Sequence, residues 1–179
     1  FYIFGSGAAE NYHMRWFEQH LPDDGSVKVH AFGLEMCGLS IAGPNSQKLL
    51  AKLTDADVST SALRFMSFRE MDLGLVPAKL ARVSFTGDLG YEIWVKAEYL
   101  TTLHTMIMEA GEEFNIKPVG GRALLSLRLE KNWGTWAREY RPIYGPFEAG
   151  LGRFVALSKN DFIGREALVE MPDEGMGRI

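Results

Sequence analysis

The opening Phe1-Tyr2-Ile3-Phe4 is an apolar run that predicts a strand, and Gly5-Ser6-Gly7 turns the chain out of it. From Ala8 to His20, Tyr12, Trp16 and Phe17 recur at helical spacing. Pro22-Asp23-Asp24-Gly25 is a turn, after which Val27, Val29 and Ala31 alternate as a half-buried strand does. Leu39-Ser40-Ile41 predicts a short strand that stops at Gly43-Pro44-Asn45, and Pro44 opens a helix through Leu49, Leu50 and Leu53. Asp55 to Ser61 is polar connector, and Phe65 to Leu75 is strand-like. Ala81 to Phe85 and Tyr91 to Val95 alternate on either side of Thr86-Gly87-Asp88-Leu89-Gly90, the pattern of a hairpin. Ala97 to Ala110 places Leu100, Leu103 and Ile107 on one helical face, with Gly111 near the C-cap. A second helix, from about Gly121 to Lys131, is apolar on two sides and so reads as deeply buried. With no regular βαβα beat and no internal repeat, the expected class is α+β, antiparallel or mixed sheets covered by helices.

Composition narrows the function classes. The chain has 179 residues, 46% of them hydrophobic and 12% aromatic, enough to bury a core for one domain or two small ones. A net charge of -4 argues against nucleic acid or a polybasic membrane surface as partner. Cys37 is the sole cysteine, which excludes an internal disulfide or a cysteine-built zinc site and suits a reducing compartment. No apolar run approaches the ~20 residues of a membrane span. The chain lacks an initiator Met and a basic leader, opens on a strand-like beat and closes on polar Gly- and Pro-containing sequence; truncation at both ends is the expectation.

Three groups of residues can carry chemistry. Arg122, Ser126 and Glu130 form an i, i+4, i+8 stripe, to be satisfied within the fold or by a ligand. Glu92 follows the Gly-rich turn and faces opposite to Tyr91 and Ile93; it is either a solvated strand carboxylate or, if covered, an acceptor for a paired N–H edge such as a 2-aminopyrimidinone offers. Trp133, Trp136, Tyr140 and Tyr144 interleave with Arg138 and Arg141, a cluster suited to core packing or to a flat ring with a carboxylate tail. No dinucleotide fingerprint or phosphate loop is present. His13, His20, His30 and His104 have no ligand spacing, so no metal site is expected; His104 reads as a packed histidine and Cys37 as an inert core thiol.

Beyond pattern, four blocks resemble the glycine-cleavage T-protein (aminomethyltransferase) superfamily. They are Gly43-Pro44-Asn45-Ser46; the run from Arg82 to Glu92, with Ser84-Phe85-Thr86-Gly87-Asp88 and Gly90-Tyr91-Glu92; Ser126-Leu127-Arg128-Leu129-Glu130-Lys131; and Asp161 to Leu168. Trp136-Ala137-Arg138-Glu139-Tyr140 and Glu148 to Phe154 look like the dimethylglycine and sarcosine dehydrogenase branch. The resemblance implies a three-subdomain fold around a tetrahydrofolate site, with 1–150 a central folate-binding region and 151–179 the start of a C-terminal barrel. It also implies that the parent protein takes a small N-methylated amine and passes its one-carbon unit to tetrahydrofolate. Carried over by position, Glu92 reads the pterin's amino and N–H edge, Tyr91 shapes the same strand end, and Trp133 lines the folate. Phe85 stands where members often have a tyrosine, without the hydroxyl. Arg122 either holds the folate's glutamate carboxylate or braces its helix. The resemblance places the catalytic aspartate and the branch's FAD domain upstream of Phe1; Asp23, Asp24, Asp55 and Asp57 match no catalytic motif. The expected location is cytoplasmic, or the mitochondrial matrix in a eukaryote. The rival readings are a glycine-cleavage T-protein or related methyl-donor demethylase, and a non-catalytic folate-binding scaffold.

Overall fold

The computed structural model describes residues 1–171. The chain divides into two compact units, Phe1–Trp133 and Gly134–Ile179. The first is built on four strands, β1 (Met36–Ala42), β2 (Phe68–Leu73), β3 (Val76–Ala81) and β4 (Gly90–Lys96). They form one sheet in the order β1-β4-β3-β2, and every pair is antiparallel. Its helices are α1 (Glu10–Gln19), α2 (Ser46–Ala51), α3 (Leu100–Gly111) and α4 (Gly121–Glu130). The class is α+β, as the unevenly interspersed patterns required.

The core lies on one face of the sheet. Tyr91, Ile93 and Val95 of β4 alternate with Glu92 and Trp94, so a period of two sends the first set inward. Val76, Ala78 and Leu80 do the same from β3, and Leu49, Leu50, Leu103 and Ile107 cover them from α2 and α3. Fully burying a side chain such as Leu80 or Ile93 contributes about 1.5–3 kcal/mol. Pro77 interrupts nothing, because β3 pairs with β4 only from Lys79 onward and has no ladder bond to give there.

Several local expectations are corrected. Phe1–Phe4 and the Val27–Ala31 segment form no strand. The former instead lays aromatic rings on the sheet's outer face: Phe4 sits 4.3 Å from Trp94, and Tyr2 and Phe4 both pack on Phe68. The strand expected over Ala81 to Phe85 ends at Ala81, because Arg82 turns to Ser67 and Met66 for its backbone bonds. Beyond it the hydroxyls of Ser84 and Thr86 satisfy local amides in place of a ladder. Helix α4 is not deeply buried: Leu125 and Leu129 are exposed, and only Arg128 of its residues is buried. His104 is exposed rather than packed, one helical step off the Leu103 and Ile107 line. Cys37 is half-buried, not a core residue. No helix among the described residues is long and apolar enough to cross a membrane.

The second unit is rich in turns, and its α5 (Arg165–Glu170) is short. Carboxylates and a guanidinium hold the turns: Glu139 accepts from the Thr135 amide, Glu148 from the Gly145 amide, and Arg165 donates to the Leu157 and Lys159 carbonyls.

Candidate functional site

The segment between β3 and β4 forms much of the wall of a cleft of about 350 Å³ within the first unit, lined by Arg82, Val83, Ser84, Gly87, Asp88, Leu89 and Gly90 together with Phe65 and Trp133. A volume of that order suits a small flat ligand. The segment is anchored from three sides. The Leu89 carbonyl accepts from the Gly43 amide at 2.8 Å and from the buried Ser46 hydroxyl at 3.0 Å, which explains why a Gly-Pro-Asn-Ser helix start and this turn occur together. The Arg82 guanidinium donates to the Leu63 carbonyl at 3.0 Å, fixing the loop that carries Phe65. The Ser84 and Thr86 hydroxyls are 2.8 Å apart.

A glycine is required at Gly90. A Cβ there would lie 2.7 Å from that of Ser84 and 2.8 Å from the Ile41 carbonyl oxygen, so the serine closes directly over the strand end. Glu92 follows on the same outer face, opposite Ser40 on β1 and Ala81 on β3. It is half-buried, and burial pushes its carboxyl above the usual glutamate value. Among the described residues it accepts no hydrogen bond and forms no ion pair. Lys79, one row along that face, is already engaged by Glu70 and lies over the Tyr2 ring. Leaving a desolvated acceptor unmatched costs about 1–3 kcal/mol, less where water reaches it. Such an orphan acceptor is what a ligand with N–H donors would satisfy.

The remaining expected residues are dispersed around this feature. Trp133 lines the cleft and is 41% exposed, leaving its indole accessible. Phe85 is half-buried in the same loop but does not line the cleft. Tyr91 is 1% exposed in the core on the opposite face from Glu92, and burial raises its hydroxyl pKa against the opposing charge of Arg82. Arg122, in the first turn of α4, is exposed, as are Ser126 and Glu130 further along the helix, so the stripe faces solvent. Sequence reasoning passed over Phe65, Arg82, Ser84 and Asp88 as cleft residues, and gave no role to Arg128. The hydroxyl spacing Ser84-x-Thr86 ahead of Gly87 was the available signal for a loop; nothing local pointed to Phe65. Among the described residues no group of three His, Cys, Asp or Glu is placed to hold a metal.

The model of the GCVT N-terminal domain matches residues 1–159. The chain belongs to that family. The matched span contains three of the four motif blocks, Asp161 to Leu168 lying beyond it, and the family indicates folate-related chemistry. Mouse (Mus musculus) mitochondrial dimethylglycine dehydrogenase is 38% identical over 178 residues, covering 98% of this chain and 20% of that protein. The human (Homo sapiens) counterpart is 36% identical over the same length. The aminomethyltransferase of Caldanaerobacter subterraneus subsp. tengcongensis is 34% identical over 153 residues, covering 85% of this chain and 40% of that protein. Among solved structures, a heterotetrameric sarcosine oxidase from Corynebacterium sp. U-96, in complex with pyrrole 2-carboxylate, is similar over 55% of this chain and 49% of its own, with a TM-score of 0.47 and 20% identity. The chain therefore spans a fifth of the length of the dehydrogenases it matches and two fifths of the aminomethyltransferase.

Proposed function

We propose that this GCVT domain supplies the pterin end of a tetrahydrofolate site, with Glu92 as the carboxylate that accepts from the pterin's amino and ring N–H groups. The observation that carries the reading is the half-buried Glu92 carboxylate with no partner among the described residues; it is not itself a cleft-lining residue but stands on the outer face two residues beyond Gly90, which is. A carboxylate can accept two parallel N–H donors at once, which gives both energy and orientation. Trp133 and Phe65 offer aromatic surface to a flat ring, and Ser84 and Arg82 supply polar groups at its edge. Tyr91 contributes through the core, holding the strand from which Glu92 projects. Phe85 shapes the loop, and Arg122 stands as the cation for a glutamate tail. When bound, tetrahydrofolate supplies the nitrogen that accepts a one-carbon unit; this chain's own residues bind and orient it.

For the parent protein we propose oxidative demethylation of a small N-methylated amine coupled to one-carbon transfer, with FAD and the catalytic aspartate outside these residues. Support comes from the dehydrogenase relatives, matched over 98% of this chain. By family motif, 1–150 is the central folate-binding region and 151–179 the start of a C-terminal barrel. In a eukaryote the same relatives, which are mitochondrial, support a location in the mitochondrial matrix. The aminomethyltransferases, at 34% identity over 85% of the chain, support a second reading in which no flavin takes part.

Calorimetric titration with 5-formyltetrahydrofolate tests the binding reading. Asp88 lines the cleft and is the rival carboxylate, so Asp88→Asn and Glu92→Gln are titrated side by side. Loss confined to Glu92→Gln supports the assignment; loss confined to Asp88→Asn moves the pterin edge to the loop.

A further inference from the structure

Helix α4 ends in a turn to which one buried arginine side chain is bonded. The Trp133 amide donates to the Arg128 carbonyl at 3.0 Å and the Asn132 amide to the Leu129 carbonyl at 3.0 Å, with Asn132 in the left-handed region at φ 56°. These nested bonds and the left-handed residue define a Schellman motif, which ordinarily carries glycine at the left-handed position and an apolar contact between the residues that here are Arg128 and Trp133. In this chain the contact is polar: the Arg128 guanidinium donates from Nη1 to the Trp133 carbonyl at 2.6 Å. Arg128 thus holds the Trp133 backbone at both its amide and its carbonyl. The side chain is 1% exposed, so bulk water does not compete for that bond. From the other side, Lys131 packs over Gly87 in the cleft wall, where a Cβ would lie 2.5 Å from the lysine Cγ and where φ is +75°.

We propose that Arg128 is a positioning residue for ligand binding: it locks the turn so that the Trp133 indole stands in the cleft wall. The inference rests on the folate reading for the identity of the ligand, but not for the clamp itself. A buried cation that is engaged with a backbone carbonyl five residues on, beyond the end of its own helix, orders that segment rather than the helix interior. The segment it orders carries the most accessible aromatic ring of the cleft after Phe65.

The test is a cycle of Arg128→Met, Trp133→Ala and the double variant in this chain, read by titration with 5-formyltetrahydrofolate and by thermal melting. Arg128→Met is expected to weaken binding about tenfold, the equivalent of one hydrogen bond from a charged donor, and to have no more than about a twofold effect once Trp133 is alanine. An equal loss in both backgrounds overturns the proposal and makes Arg128 a general structural residue. Should Arg128→Met fail to melt cooperatively, the exposed Asn132 replaces it: Asn132→Val, strained at positive φ, is expected to weaken binding while Asn132→Gly does not. No change with either overturns the proposal. Acrylamide quenching of tryptophan fluorescence, with Trp133→Phe as reference, reads the clamp without ligand. Increased quenching in Arg128→Met that disappears in the Trp133→Phe background supports it even if no folate binds, an outcome that would sink the folate reading alone. Unchanged quenching together with unchanged binding overturns the clamp and leaves the folate reading to Glu92.

Discussion

Replacing Glu92 by glutamine separates binding from stability in a way that an ordinary surface substitution cannot. The carboxylate is half-buried, unpartnered among the described residues, and held above the usual glutamate value by burial. In the ligand-free chain its charge is therefore a liability. The neutral isostere should leave stability unchanged or raise it by up to about 1 kcal/mol, a shift of about 2–4 °C in Tm for a chain of this size. Binding should move the other way. A carboxylate accepts both N–H donors of a pterin edge, whereas a glutamine accepts one and turns its own NH2 toward the other. One charge-assisted hydrogen bond, about 1.5–3 kcal/mol, is lost, and Kd should rise roughly ten- to a hundredfold. Titration with 5-formyltetrahydrofolate and a thermal melt on the same preparation read both quantities. Weaker binding with a lower Tm would show that Glu92 is structural, and unchanged Kd with a raised Tm would show a desolvated carboxylate with no ligand role.

The pH dependence follows from the same residue. Its folded pKa is raised, so its contribution to stability is present below the ordinary glutamate value and is lost as pH rises through the raised value; a stability curve should lose that component in Glu92→Gln. Folate affinity should increase across the same upward window as the acceptor ionises, and the difference between wild type and Glu92→Gln isolates it from the ligand's own carboxylates. Gly90→Ala should destabilise by about 1–3 kcal/mol, since the new Cβ meets Ser84 and the Ile41 carbonyl; denaturant melting that shows no loss would mean the strand end relaxes freely. Leu80→Ala, at 0% exposure in the core, should cost about 2–5 kcal/mol by the same measurement while a folded variant retains its Glu92-dependent binding.

Local chemistry made much of the first unit legible. The alternation of β4 and the apolar face of α3 each state their own periodicity, Gly43-Pro44-Asn45 marks the start of α2 although the helix itself runs only from Ser46 to Ala51, short of Leu53, and the motif blocks that surround Glu92 identify the family. What failed locally failed because bonding partners were distant or competing. Ser84 and Thr86 alternate like strand residues, yet their hydroxyls reach local amides and Arg82 turns to Ser67, so the ladder stops at Ala81. Helix α4 is apolar enough to be buried, but periodicity states only which residues can face a core, not whether one is packed against them; Arg128, one of its polar residues, is the one that is buried.

The sequence by itself determined the α+β class, the family and the identity of the acidic residue after the glycine turn, because these reside in neighbouring residues and in the order of motifs. Only the tertiary structure decided that Phe65 and Trp133 line one cleft, that Glu92 is half-buried without a hydrogen-bond partner among the described residues while Tyr91 is sealed in the core, and that Arg128 holds the Trp133 turn. The reason is physical: burial and partnership depend on what segments far apart in the chain bring to the same place, and local periodicity carries no record of that.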